Sequence, residues 1–361
     1  MVALKDIINL SKITGAKVAV GVSGGADSLA LVLLLDELLR PQGRQVIALT
    51  VDHGLREESA TEAAYVAKLM AEHEIEHHIL VWQGEKPSTG IEEAARDARY
   101  ALLRGWCQAN GVEILCVAHH QQDQAETFLM RLQRGSGVTG LCGMAEVNEL
   151  DGVSIVRPLL NISSECLKNY LQQRNISWVE DPSNQSGDFL RCRVRKLLPV
   201  MEDMVGISSK RIADTMRVLS RTKDYIALQR DNFIQANVTW WEDVAVCLPV
   251  KALQNEHEEI VYQVIRALIR KVGGNQYTAR SDDVERLIGR LFGDFRGATL
   301  GHCEIFISRG KIWVIPELKL KARLPKKVWK NFTDCFPAYQ RVDLPYKLRA
   351  VLVKTKMSIE F

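Results

Sequence analysis

Hydrophobic positions in the first half of the chain come in short unbroken runs, each trailed by a longer stretch with helical spacing. K-V-A-V-G-V at 17–22 is the first run, and 28–39 reads as the helix behind it. V-I-A-L-T-V at 46–51 follows, then 58–73, where Ala63, Val66, Ala67, Met70 and Ala71 fall on one side of a helix. Residues 78–82 predict a third strand and 90–110 a long helix that stops at Asn110-Gly111. I-L-C-V-A at 114–118 predicts a fourth strand, 123–134 a helix halted by Gly135-Ser136-Gly137, and V-S-I-V at 153–156 a fifth strand. Continuously apolar strands alternating with helices predict an α/β fold, a doubly wound parallel sheet covered on both faces. Ligands of such sheets sit beyond the carboxyl ends of the strands. Ser23, Asp52-His53, Gln83-Gly84 and His119-His120 occupy those places.

The pattern changes after about residue 207. Residues 208–238 read as one long helical stretch, 239–250 as extended, 256–271 and 281–292 as helices, and 298–308 with 311–315 as a hairpin turning at Arg309-Gly310. Three parts are expected: a catalytic domain over 1–207, a smaller mixed α+β domain over 208–318, and a basic tail over 319–361. Between Lys319 and Lys356 there are eleven Lys/Arg against two Asp/Glu, in a chain whose net charge is only +3. That tail suits a polyanionic partner, or is a solvated segment. Eight single cysteines without a C-x-x-C pair suit free thiols in a cytoplasmic protein, and no apolar run is long enough to span a membrane.

Ser23, Gly24, Gly25, Ala26, Asp27 and Ser28 stand where the first strand turns into its helix. Glycines there let backbone N–H groups approach a ligand, and the helix dipole favours an anion at the same point. The segment reads as a phosphate cradle with neither the lysine of the usual P-loop nor G-x-G-x-x-G. Asp27 inside it would repel phosphates unless a cation lay between, and Mg²⁺ is the natural one. The competing reading is a plain helix start capped by Ser23 and Asp27.

Other residues invite a chemical reading beside a plain one. Arg96 and Arg99 are neighbours on a helix and suit phosphate, or salt bridges to Glu92 and Glu93. His119 and Asp123, four apart, make a pair that could orient or deprotonate an amine, or a helix cap beside an exposed histidine. Arg191, Arg193 and Arg195 share a face if extended and not if helical. His53 lies near a nucleotide or on the surface, Trp240-Trp241 suits buried core better than base stacking, and Glu126 caps or braces its helix.

S-G-G-A-D-S resembles the pyrophosphate loop of the ATP pyrophosphatases, which cleave ATP between its α and β phosphates. Further blocks are similar to the tRNA(Ile)-lysidine synthetases within that superfamily: V-D-H-G-L-R-E-E-S at 51–59, I-E-E-A-A-R-D-A-R-Y at 91–100, A-H-H-Q-Q-D-Q-A-E-T-F-L-M-R-L-Q-R-G-S-G at 118–137, R-P-L-L at 157–160, D-P-S-N at 181–184 and R-C-R-V-R-K-L-L-P at 191–199. The resemblance implies ATP and Mg²⁺ as cofactors, free L-lysine and a tRNA(Ile) with a CAU anticodon as substrates, and a homodimer. It implies that ATP activates C2 of the wobble cytidine and that the ε-amine of lysine displaces AMP. Residues 23–28 and His53 would then hold ATP, with Asp27 supporting the metal. Asp123, placed by His119, would handle lysine, and Arg99 and Arg191 would stabilise charge or anchor substrate. Gln122 and Cys192 depart from the pattern, which has an acid and an asparagine there. The chain after 318 is also short for the family's C-terminal domain.

Overall fold

The computed structural model describes residues 8–54, 58–84, 86–87, 89–180, 190–242, 244–274, 279–293, 295–317 and 344–357. The D-P-S-N block, part of V-D-H-G-L-R-E-E-S and most of 319–361 lie outside the described residues. Two compact units divide at 221/222, inside a long helix, Ser209–Asn237. The boundary expected at 207/208 falls in the short loop before that helix.

The first unit is built on a six-stranded sheet in the order β3-β2-β1-β4-β6-β5. Strands β1 (Lys17–Gly21), β2 (Gln45–Asp52), β3 (Glu76–Val81), β4 (Ile114–Cys116) and β6 (Val153–Val156) run parallel. The added edge strand β5 (Val147–Leu150) pairs with β6 antiparallel. The sequence gives no strand at 147–150 because only its two ends are apolar. Helix α1 (Ala26–Leu39) packs on one face of the sheet with α2 (Glu58–Glu72). Helix α3 (Ile91–Ala109) covers the other face through Leu103 and Cys107. Leu29, Leu31, Leu34 and Leu35 of α1 are all fully buried, because a further helix, Ser164–Gln172, lies against it through Leu167, Tyr170 and Leu171. A helix apolar all round is one with neighbours all round.

Strand order fixes where a ligand can sit. From β1 the chain winds outward through β2 to β3, and from β4 it winds the other way to β6. The order therefore reverses between β1 and β4. The crevice at that reversal lies beyond Gly21 and Cys116, the last residues of those strands.

The second unit carries an antiparallel sheet in the order β7-β8-β11-β10-β9: Thr239–Trp241, Ala245–Pro249, Lys311–Pro316, Cys303–Ser308 and Ala298–Leu300. The run expected as one strand at 298–308 is two, broken by a turn in which Gly301 and His302 both take φ +60°. Helices Glu258–Val272 and Ser281–Leu291 bury Val264, Ile265, Leu268, Val284 and Leu287 against one face. A last helix, Tyr346–Met357, buries Leu348, Val351 and Leu352 against Trp313 and Ile315. Part of the expected basic tail is thus core. Trp240 packs on the first of these clusters, with Lys271 Nζ 4.0 Å above its ring, and Trp241 on the second.

Candidate active site

The loop after β1 is closed by its own hydrogen bonds. Gly24 takes φ +83°, and a side chain there would meet Val66 and Val179 at 3.3 and 3.5 Å, so only glycine fits. The Val179 N–H donates to the Gly24 carbonyl at 3.0 Å. The Ser28 hydroxyl is buried, donates to the Gly25 carbonyl at 3.0 Å and accepts from the Ser23 N–H at 3.1 Å. Ser28 therefore shapes the loop, whereas Ser23 is exposed beside it. Gly25 precedes the first turn of α1, whose N–H groups lack intrahelical acceptors. Ala26 is buried and Asp27 is the acid of that turn.

The Asp27 carboxylate is one-third exposed. Its Oδ1 accepts from the Ser164 hydroxyl at 2.8 Å, and its Oδ2 lies 3.4 Å from His120 Nε2. The same Nε2 is 3.5 Å from Asp123 Oδ2, which also accepts from the His120 N–H at 3.0 Å. The histidine that meets Asp123 is thus His120, three residues away, and not His119. His120 bridges the loop after β1 and the start of helix α4 (Gln121–Gln133). Burial opposes its charge, yet the hydrogen bond to Asp27 and the charges of Asp123, Asp27 and Glu126 raise its pKa above the ordinary histidine value.

Beyond His120 the site becomes a charged cluster. Asp123 Oδ1 accepts from Arg191 Nη2 at 2.8 Å. Glu126 is 1% exposed and accepts from Arg191 Nε at 2.6 Å and Arg195 Nε at 2.8 Å. Residues 190–205 form a helix, so Arg191 and Arg195 share a face four apart, while Arg193 points elsewhere and is exposed. The extended arrangement that would have aligned all three does not occur. Burial raises the Asp123 pKa, but His120, Arg191 and His119 more than offset it, and the carboxyl stays below its usual range. Glu126 sits at the centre of a network that its sequence position did not reveal.

A second group, Arg99 with His53 and His119, makes no ion pair among the described residues. Burial together with the charges of Arg96 and Arg191 lowers the Arg99 pKa, against Tyr100. His53 lies edge-on to Trp82 at 5.9 Å, and burial, then Arg99 and Lys86, lower its pKa against Asp52. His119 is pushed down to about 3 by burial first, with Asp123 opposing and Arg157, Arg96 and Arg191 adding. It is neutral at physiological pH. The Nδ1 atoms of His53, His119 and His120 are buried without a hydrogen-bond partner among the described residues. Arg157 of the R-P-L-L block is buried and donates to the Ala145 carbonyl, a structural use.

Among the described residues no group of three or more His, Cys, Asp and Glu could hold a metal by itself. The loop offers a single carboxylate, Asp27. That donor set does not suit a resident metal but suits Mg²⁺ arriving on phosphates, which needs only one or two carboxylates. No described helix is long and apolar enough to cross a membrane. Gln122 does not face this acidic cluster: its Oε1 accepts from the Ser164 N–H at 3.0 Å.

Comparison with known proteins agrees with this geometry. Residues 3–201 match the family described as the PP-loop domain. The chain is 37% identical to the tRNA(Ile)-lysidine synthase of Ruegeria pomeroyi over 82% of its own length and 70% of that protein's. It is 38% identical to the enzyme of that name from Hyphomonas neptunium over 83% and 81%. Over 50% of the chain and 51% of the relative, identity to the Bradyrhizobium tRNA(Ile)-lysidine synthase reaches 46%. Among solved structures, the U34-tRNA thiolase NcsA from Methanococcus maripaludis superposes with a TM-score of 0.52 at 20% identity, covering 60% of this chain and 77% of that one, a likeness of fold. Loop, crevice and relatives agree, and the chain belongs to the tRNA(Ile)-lysidine synthase family, on a PP-loop domain.

Proposed function

We propose that the crevice activates the wobble cytidine of a tRNA(Ile) bearing a CAU anticodon and joins free L-lysine to it. The C2 oxygen of cytosine attacks the α phosphorus of ATP, and pyrophosphate leaves. The ε-amine of lysine then attacks C2, and the C2–O bond breaks so that AMP carries the oxygen away. The observation that carries this reading is the bridge at His120. It ties the carboxylate of a phosphate-binding loop to Asp123, a buried carboxylate that suits an ammonium group.

Roles follow from position. The backbone of residues 23–26 and the exposed Ser23 suit phosphate oxygens, with Ser28 holding the loop shape. Asp27 would support Mg²⁺ on those phosphates, an ion that neutralises charge as the α–β bond breaks. Arg99, without an ion pair among the described residues, suits the negative charge that develops at the α phosphate, and His53 lies beside it. Arg191 differs. Its guanidinium is held by Asp123 and Glu126, so it fixes those carboxylates and does not reach freely for phosphate. Asp123 would receive the lysine ammonium, with Glu126, closed off between Arg191 and Arg195, bracing it from behind. Work on tRNA and seven free thiols among the described residues suit a cytoplasmic enzyme.

The test uses ATP, Mg²⁺, labelled lysine and two transcripts, a CAU isoleucine tRNA and initiator methionine tRNA. Lysine retained on the first alone is the expected result. AMP formed without lysine on either RNA would overturn the choice of nucleophile. Asp27→Ala should release no AMP, and near-normal release would refute the loop assignment.

A further inference from the structure

Asp27 is held from behind as well as across the crevice. Ser164 is the first residue of the helix Ser164–Gln172, which packs along α1. Its hydroxyl donates to Asp27 Oδ1 at 2.8 Å. Its N–H is one of the donors that a helix start leaves without an intrahelical acceptor, and Gln122 Oε1 takes it at 3.0 Å. The N-cap Ser163 takes the N–H of Cys166 in the same turn. Gln122 comes from the first turn of α4, the helix that also carries Asp123. One line of contacts therefore runs from α4 through the start of the Ser164 helix to the loop carboxylate.

A carboxylate that serves a phosphate-borne cation must present the right oxygen. Asp27 has a rotatable side chain at a partly exposed position, and two bonds restrict it: Ser164 on Oδ1 and His120 near Oδ2. His120 also answers to Asp123, so its grip on Asp27 is shared. Among the described residues Ser164 makes no other side-chain bond to a carboxylate, and Gln122 fixes its backbone without adding a charge beside Asp27.

We propose that Ser164, backed by Gln122, is a positioning residue that orients the Asp27 carboxylate for the cation carried by ATP. This rests on the reading of Asp27 given above. The hydroxyl does no chemistry on substrate; it sets the angle at which Asp27 meets the ion.

The experiment measures binding without turnover. The α,β-methylene analogue of ATP is titrated calorimetrically into the full chain, once with Mg²⁺ and once with EDTA. Ser164→Ala should raise the dissociation constant about tenfold with Mg²⁺, the scale of one hydrogen bond to a charged acceptor, and less than twofold in EDTA. Gln122→Ala should act in the same direction by about threefold, and Ser164→Thr, which keeps the hydroxyl, should restore wild-type binding. The KM for lysine in the full reaction should stay within twofold in every variant. Equal losses with and without Mg²⁺, or no rescue by threonine, would overturn the proposal, since a general packing defect behaves that way. Asp27→Ala separates the two levels. If it abolishes the Mg²⁺-dependent gain and Ser164→Ala keeps that gain, only the Ser164 role fails. If Asp27→Ala also keeps the gain, the reading of Asp27 fails and the proposal with it.

Discussion

Replacing Glu126 with glutamine tests the centre of the site. The carboxylate accepts two short charge-assisted bonds, from Arg191 Nε at 2.6 Å and Arg195 Nε at 2.8 Å, with Arg195 Nη2 farther off at 3.5 Å, and is 1% exposed. A bond of that kind contributes about 1.5–3 kcal/mol when dry. The two guanidinium groups are 39% and 43% exposed, so water screens each pair and about half of that range is the better figure. Glutamine keeps one acceptor oxygen and turns an NH₂ toward the other arginine. The expected loss is about 1–2 kcal/mol, local to α4 and the helix Leu190–Val205. Hydrogen exchange of amides in those two helices reads it, with the second unit of the chain as an internal reference. A double-mutant cycle with Arg195→Met should return a coupling of about 1 kcal/mol, and the KM for lysine should rise more than tenfold while ATP affinity holds. Coupling below about 0.3 kcal/mol, or a lysine KM that does not move, would refute the network as the seat of amine binding.

Three further outcomes follow from the charges around the crevice. Arg99→Met should cut adenylation about 100-fold while leaving stability level or slightly higher, because a half-buried cation with no ion pair among the described residues is removed; a stability loss with unchanged rate would make Arg99 structural. His119 has a folded pKa of about 3 against 6.5, so the unfolded chain takes its proton first, and the stability present above pH 6.5 is lost as pH falls toward 3. The loss approaches about 1.4 kcal/mol per pH unit, and His119→Gln should remove the slope between pH 6.5 and 5 in thermal melts of the first unit; an unaltered slope would clear His119. His120, with its raised pKa, has the opposite sign and contributes below 6.5, so it does not imitate this acid slope. Substituting glutamine at Lys321, Arg323, Lys326, Lys327 and Lys330 should flatten the salt dependence of tRNA binding, and an unchanged slope would exclude that stretch. Deleting 319–361 outright is the wrong experiment, since Leu348, Val351 and Leu352 belong to the core.

Much of the first unit was legible because its signals are local. An apolar run ending in Ser-Gly-Gly carries strand, turn and helix start within a dozen residues, and the strand Lys17–Gly21 and helix Ala26–Leu39 stand there. What stayed hidden depends on partners distant in sequence. Glu126 meets Arg191 and Arg195 from 65 and 69 residues away, and nothing near Glu126 announces a buried ion pair. The helix Leu190–Val205 was masked by its own charges, with only Val194 and Leu198 buried in it. The Ser164 helix did carry a readable signal, a serine N-cap followed by Leu167, Tyr170 and Leu171 at helical spacing. The choice between His119 and His120 turns on backbone direction just past a strand, where adjacent side chains point to opposite sides. Spacing alone favoured the residue four away, and the chain uses the one three away.

The protons of the proposed reaction give this arrangement an order. Lysine enters as an ammonium ion and must lose a proton before it can attack C2. In the free protein neither expected acceptor is a strong base: Asp123 lies below the usual carboxylate range and His119 near 3. His120, with its raised pKa, holds its own proton more firmly than a free imidazole, because three carboxylates share its field. Three of the influences that depress His119 are arginine charges, at 157, 96 and 191. Phosphates that neutralise some of that cationic field would move His119 back toward a useful value, and burial would limit how far. A site built this way is a poor base until the nucleotide is in place. In the proposed reading, lysine bound before the nucleotide would stay protonated beside Asp123.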